Sequence, residues 1–286
     1  MRIQQITIVG TGLIGGSLGL ALKQAGFAGQ IVGCDKRAVL DIAQERGAID
    51  RAEADLERAI VGSDVVVLAT PVGCILSQME PIATLSGSST LITDAGSTKE
   101  KLVERARELF GNNAAERFLP GHPMAGKESS GVDVADPDLF QNAVWFLTPL
   151  PGQDIQQDHF SEFIGWIDQI GARVAMLSPE DHDRLCAWIS HVPQMISTAL
   201  AAALVEEFGE EAPLLSAGGR ALREMTRISA SPYSMWRDIA ISNKGNLADA
   251  LFKVEQRIAH IRENLTTRAL AEEFELAHGL KKTEKP

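Results

Sequence analysis

His122 is the residue in this sequence whose setting most suggests chemistry. It lies in Gly121-His122-Pro123-Met124-Ala125-Gly126-Lys127-Glu128-Ser129-Ser130-Gly131, which reads as a loop of glycines and small residues with no apolar helix face for a histidine to serve. Imidazole titrates near neutrality, and a positioned histidine contributes about 10²- to 10⁴-fold to a rate. A general base and a structural loop histidine both fit these residues. Ser97 follows the apolar run Leu91-Ile92-Thr93 and could face the same site; with Glu100 it also spells a capping box, S-x-x-E, which a helix start would use. Arg184, His191, Gln194 and Thr198 recur at spacings of three and four, one polar stripe beside an apolar helix face, and His191 beside Pro193 is the best site candidate among them. Arg227, in Leu222-Arg223-Glu224-Met225-Thr226-Arg227-Ile228-Ser229, precedes Met235-Trp236-Arg237-Asp238. Guanidinium recognises carboxylates in a planar, two-pronged way, and it can equally be an ordinary surface charge. Asp181, His182 and Asp183 look like a ligand cluster, but neighbours on a helix point to different faces, so first-turn charges and no metal site are expected.

The elements that must hold these groups fall into two sets. Ile6-Thr7-Ile8-Val9, Ile31-Val32-Gly33-Cys34 and Val65-Val66-Val67-Leu68-Ala69 read as strands buried on both faces, with further strands at Leu91-Ile92-Thr93, 143–147 and 172–176. Helical segments alternate with them, which predicts an α/β domain over 1–177 with a Rossmann-type, doubly wound, mostly parallel sheet. Gly10-Thr11-Gly12-Leu13-Ile14-Gly15 joins the first strand to the first helix, so Gly10, Gly12, Leu13, Ile14 and Gly15 should cradle a pyrophosphate. Asp35 ends the second strand, where a carboxylate accepts from ribose hydroxyls and repels a 2′-phosphate; this favours NAD, while Lys36 and Arg37 keep NADP open. Thr70 and Pro71 leave the third strand into the same crevice.

From Ser178 the pattern is helical only, predicting an all-α domain over 178–279 and a disordered tail at 280–286. Ser178-Pro179-Glu180-Asp181 reads as a helix start. Leu185, Trp188, Ile189, Val192, Ile196, Ala199, Leu200 and Ala203 should then form one broad buried face, bent at Pro193. Leu247, Leu251, Val254, Ile258, Ile261 and Leu265 form a narrow seam that wants a partner helix, within the chain or from a second copy, with a homodimer favoured.

The chain has 286 residues, 45% hydrophobic and 23% charged, with a net charge of -11, which argues against nucleic acid or an anionic membrane surface as partner. Cys34, Cys74 and Cys186 fit neither a disulfide framework nor a zinc pattern, so reduced thiols and a cytoplasmic location are expected. No run of about 18 uninterrupted apolar residues occurs.

Taken together and in order, Gly10–Ser17, Thr93–Lys99, Gly121–Gly126, Ser190-His191-Val192-Pro193, Thr226-Arg227-Ile228 and Met235–Asp238 resemble the prephenate and arogenate dehydrogenases of tyrosine biosynthesis over about residues 3–265. The resemblance implies oxidative decarboxylation of prephenate to 4-hydroxyphenylpyruvate, or of arogenate to tyrosine, with a helical domain that dimerises. It makes His122 the acceptor of the ring hydroxyl proton, Ser97 its orienting partner and Arg227 the carboxylate ligand, with His191, Gln194, Lys127, Glu128 and Trp236 around the substrate. Gln194, Lys127 and Gly219-Arg220-Ala221 depart from what many relatives carry, and the extra cations Lys127 and Arg220 lean toward prephenate. No chorismate mutase domain is expected before residue 1 and no regulatory domain after about 265, which leaves any tyrosine feedback to the active site. A hydroxy-acid dehydrogenase of similar build would carry a catalytic lysine on a helix instead. A nucleotide sensor without turnover would have lost Ser97, His122 or Arg227, and all three are present.

Overall fold

A computed structural model of the chain describes residues 3–209 and 217–283. The first part alternates β1 (Gln5–Val9), α1 (Leu13–Gln24), β2 (Gln30–Cys34), α2 (Arg37–Glu45), β3 (Arg51–Ala52), α3 (Leu56–Ala59), β4 (Val65–Leu68), α4 (Val72–Leu85), β5 (Leu91–Asp94), α5 (Glu100–Phe110), α6 (Ala114–Arg117) and β6 (Phe118–Leu119). The six strands are parallel in the order β3-β2-β1-β4-β5-β6. The strand order reverses between β1 and β4, and the crevice beyond their carboxyl ends is where open α/β sheets take ligands. These strands are apolar on both faces because helices cover both: Ile6, Ile8, Val65 and Val67 pack with Leu18, Leu22 and Leu40, while Val9, Val66 and Leu68 pack with Ile75 and Met79.

The two later strands expected in this sheet belong to a second one. Pro120, which has no N–H for a ladder, separates β6 from β7 (Gly121–Pro123). Strand β7 runs antiparallel to β8 (Val144–Leu147), which pairs in parallel with β9 (Arg173–Met176) beyond α7 (Asp158–Gln169). Apolar periodicity reports burial, and it does not report which sheet a strand joins.

The remainder is helical: α8 (Pro179–Cys186), a π-turn over Ala187–His191, α9 (Val192–Phe208), α10 (Arg220–Thr226), α11 (Tyr233–Ser242), α12 (Lys244–Glu263) and α13 (Arg268–Thr283). Ser178 caps α8 by accepting the Asp181 N–H at 3.0 Å. At the expected bend, Pro193 sits in the first turn of α9, directly after the π-turn, where a missing N–H is tolerated.

The long helix buries a face rotated from the one expected, keeping Val192 and Ile196 but leaving Leu185, Trp188 and Ile189 open. His182, Asp183, Cys186, Ala187, His191, Val192, Gln194 and Ser197 are buried, whereas Trp188 and Ile189 are 41% and 50% exposed. His182 and Asp183 dock it on the first domain through hydrogen bonds, while Ala187 and Val192 pack on α12 within the helical domain. Pro179–Phe208 is also long and apolar enough to cross a membrane by length and composition, with a mean hydropathy of 1.3; Asp183 and His182 tie it to the α/β domain. On α12 the seam is split: Leu247 and Ala250 pack with Ala187 and Val192, while Ile258, and Leu265 just beyond the helix, are exposed. Of the tail expected to be disordered, 280–283 continue α13, and residues 284–286 lie outside the described ones.

Candidate active site

The glycine turn has the three properties a dinucleotide needs. Gly10 has φ +94°, and a Cβ there would lie 2.7 Å from Thr70 Cγ2; a Cβ on Gly15 would lie 2.0 Å from the Gly10 oxygen. A Cβ on Gly12 would meet nothing within 4 Å, so the space above the turn is open. No side chain caps the start of α1, which leaves the N–H groups of Leu13 and Ile14 for an anion. Asp35 is held beside the turn by the N–H groups of Thr11 (2.8 Å) and Lys36 (2.7 Å). Arg37 lies along its own helix against Asp41 at 2.9 Å. Thr70 donates to Gln78 at 2.8 Å, and Pro71 precedes α4, whose Gly73 N–H donates to Asp238 of α11.

Behind the crevice sits a buried ion pair that sequence reasoning missed. Asp94 and Lys99 are both fully buried and paired. Asp94 also accepts from the N–H groups of Gly96 (2.8 Å) and Gly121 (3.2 Å), and Lys99 Nζ donates to the Gly121 carbonyl at 2.6 Å. The loop that carries Ser97 is thereby tied to the strand that carries His122. Burial pushes the Asp94 carboxyl up against the opposing pull of Lys99. The expected capping box is not made. Helix α5 starts after Lys99 without a side-chain cap of its own, and Asp183 of α8 accepts its free Lys99 and Glu100 N–H groups at 2.7 and 3.0 Å. Ser97, half-buried, makes no hydrogen bond among the described residues.

His122 lies on strand β7 and not in a loop, 7% exposed and paired in register with Phe146. Its Nδ1 is 2.9 Å from His182 Nε2, and His182 Nδ1 is 2.8 Å from Asp183 Oδ1. The expectation that His182 and Asp183 are first-turn surface charges therefore fails, because α8 lies flat on the first domain and both side chains are covered. Burial, with His182 and Lys99 adding to it, holds the His122 imidazole well below its ordinary pKa; burial also lowers His182. Cys186 Sγ stands 3.4 Å from His182 Nε2, its thiol pushed up to about 12 by burial. His122, His182 and Cys186 offer three ligand atoms within 4.8 Å of one another. The two nitrogens are closer than the roughly 3.3 Å expected for imidazoles sharing a tetrahedral zinc, so the contact reads as a hydrogen bond.

The helical domain supplies the opposite wall. His191 is fully buried, lowered to about 4 by burial; its Nδ1 faces the Asn243 amide at 3.3 Å and its Nε2 has no partner. Trp236 stands edge-on to it at 6.0 Å with an unpartnered Nε1. Arg227 reaches across to pair with Glu128, so the two domains meet at these charges. Gln194 donates to the Ile228 carbonyl at 2.9 Å and to Thr198 at 3.2 Å, bracing the segment that carries Arg227. Lys127 pairs with Asp136 at 2.9 Å and Arg220 with Glu224 at 2.6 Å, solvent-facing ion pairs like that of Arg227 with Glu128. The buried polar spacing 183, 186, 194, 197 was the available signal for Asp183 and its neighbours; Lys99 was marked only as the end of the Thr93–Lys99 stretch.

Residues 18–176 match the family described as prephenate dehydrogenase, nucleotide-binding domain, and 178–282 match prephenate dehydrogenase, dimerization domain. The chain belongs to the prephenate dehydrogenase family. The prephenate dehydrogenase of Lactococcus lactis is 33% identical over 270 residues, covering 93% of this chain and 72% of the relative. Among solved structures, the family member from A. aeolicus, in complex with hydroxyphenyl propionate and NAD+, superposes with a TM-score of 0.84 at 30% identity, over 99% of this chain and 97% of the other. An arogenate dehydrogenase from Synechocystis superposes with a TM-score of 0.77 at 26% identity, over 98% of this chain and all of the other.

Proposed function

We propose that the chain oxidises and decarboxylates prephenate to 4-hydroxyphenylpyruvate with NAD, as a cytoplasmic homodimer. The observation that carries this reading is His122, buried on a strand that Asp94 and Lys99 tie to the Ser97 loop and hydrogen-bonded to His182 of the helical domain. Gly10, Gly12, Leu13, Ile14, Gly15 and Asp35 would hold NAD, whose pyrophosphate suits the open turn; bound there, it supplies the hydride acceptor. Asp35, held beside the turn by the Thr11 N–H, favours the cofactor without a 2′-phosphate.

His122 takes the proton of the ring hydroxyl as hydride leaves the same carbon, and Ser97, free of other partners, orients that hydroxyl. The new carbonyl is conjugated with the diene, so the ring carboxylate departs as carbon dioxide and the ring becomes aromatic. Arg227 exchanges Glu128 for a substrate carboxylate, and the unpartnered His191 Nε2 is a second polar contact. The protein has only to orient the reactants and accept one proton.

One observation favours arogenate instead. With its NH₂ committed to Ile228 and Thr198, Gln194 has only its carbonyl oxygen left, an acceptor suited to an ammonium group. Rates with prephenate or arogenate, each with NAD or NADP, decide between them; no NADH or NADPH absorbance in any combination would sink the function. His122→Asn should abolish turnover and keep nucleotide binding.

Dimerisation is supported by the apolar side chains left open on the helical domain, Trp188, Ile189, Phe252 and Ile258 among them. The three free thiols suit a reducing compartment.

A further inference from the structure

The geometry points to Asp183 and His182 as positioning residues that fix the tautomer of His122, with the proton on Nδ1 and the lone pair on Nε2. The inference rests on His122 being the base, and it names which of its nitrogens accepts the substrate proton.

The chain of donors is forced from its far end. Asp183 accepts the Lys99 and Glu100 N–H groups, two unsatisfied donors at the start of α5 where an anion is favoured. A carboxylate only accepts, so the nitrogen 2.8 Å from its Oδ1, His182 Nδ1, carries a proton. A neutral His182 then has its lone pair on Nε2, which accepts from His122 at 2.9 Å, and so His122 Nδ1 is the protonated one. The opposite assignment would set a lone pair of His182 against the Asp183 carboxylate. His122 Nε2 makes no hydrogen bond among the described residues and is left as the acceptor.

This tautomer is the reverse of the one free neutral histidine prefers, so something must impose it. The imposing groups come from α8 of the helical domain, while His122 is on β7 of the nucleotide domain. The base is therefore set only where the two domains meet, and the α5 N-terminus and the imidazole share one carboxylate.

The test is long-range ¹H–¹⁵N correlation on ¹⁵N-histidine-labelled protein at neutral pH, with kinetics on two variants. Wild-type His122 should show a protonated Nδ1 and a bare Nε2. His182→Gln, whose amide oxygen can still accept, should keep that pattern and most of kcat. His182→Met should lose the pattern and drop kcat on the order of 10²- to 10⁴-fold with little change in KM, since a triad imidazole held in the wrong tautomer loses about 10⁴-fold. A wild-type His122 protonated on Nε2, or equal kcat for the Gln and Met variants, overturns the inference. The wild-type spectrum decides even if a variant fails to fold. If His122→Asn stayed active, the base assignment would fall, and the spectrum would still judge the tautomer separately.

Discussion

Replacing Lys99 with Met keeps the length of the side chain and removes its charge, leaving Asp94 with only the Gly96 and Gly121 N–H groups. Both members of the pair are fully buried. Breaking a buried pair on one side strands the other charge and costs about 3–5 kcal/mol. Against a total stability of about 5–15 kcal/mol, that is a large share, and it should lower the melting temperature by about 10 °C. Asp94 already sits above its unfolded pKa through burial, and the loss of Lys99 raises it further. A carboxyl whose folded pKa exceeds its unfolded one favours the fold at low pH and loses that advantage as pH rises. The defect should therefore be smaller at pH 5 than at pH 8, and adding Asp94→Asn should recover much of it. Calorimetry of wild type, both single variants and the double variant at the two pH values measures all of this. A Lys99→Met protein that melts within 2 °C of wild type, or a double variant no better than the single one, would refute the claim that the pair is desolvated and coupled.

Gly12→Val should remove nucleotide affinity, read by calorimetric titration with NAD, and leave the melting temperature nearly unchanged, because its Cβ projects into open space; Gly15→Ala should instead lower stability, since its Cβ meets the Gly10 oxygen. His191 resists protonation down to about 4 in the fold, whereas an unfolded histidine takes a proton near 6.5. Stability should thus fall by about 2 kcal/mol between pH 7.5 and 5 from this residue alone, and urea titrations of His191→Asn should show a flatter profile. Trp188→Glu or Phe252→Glu, which place charge in one exposed apolar pocket of the helical domain, should convert the proposed dimer to folded monomers in sedimentation analysis. A dimer unaffected by both would place the interface elsewhere.

The sequence by itself determined the glycine turn between β1 and α1, because Gly10 and Gly15 act through backbone and spacing along one β-α-β stretch. From Ser178 onward the sequence reads as helix only, and Ser178 caps the helix expected there. His122 was legible as chemistry only by its unusual company, and its place on β7 was not, since a three-residue strand carries no periodic signal. What tertiary structure alone decided was which charges meet. Asp183 and His182 read as surface residues along the helix and became buried partners of Lys99, Glu100 and His122 because α8 docks by its polar face. Lys127 and Arg220 read as cations without stated partners, and the fold sets them beside Asp136 and Glu224. Local sequence fixes what a residue can do; whether it is buried, and beside which partner, depends on segments some sixty to eighty residues away that only the packed fold brings together.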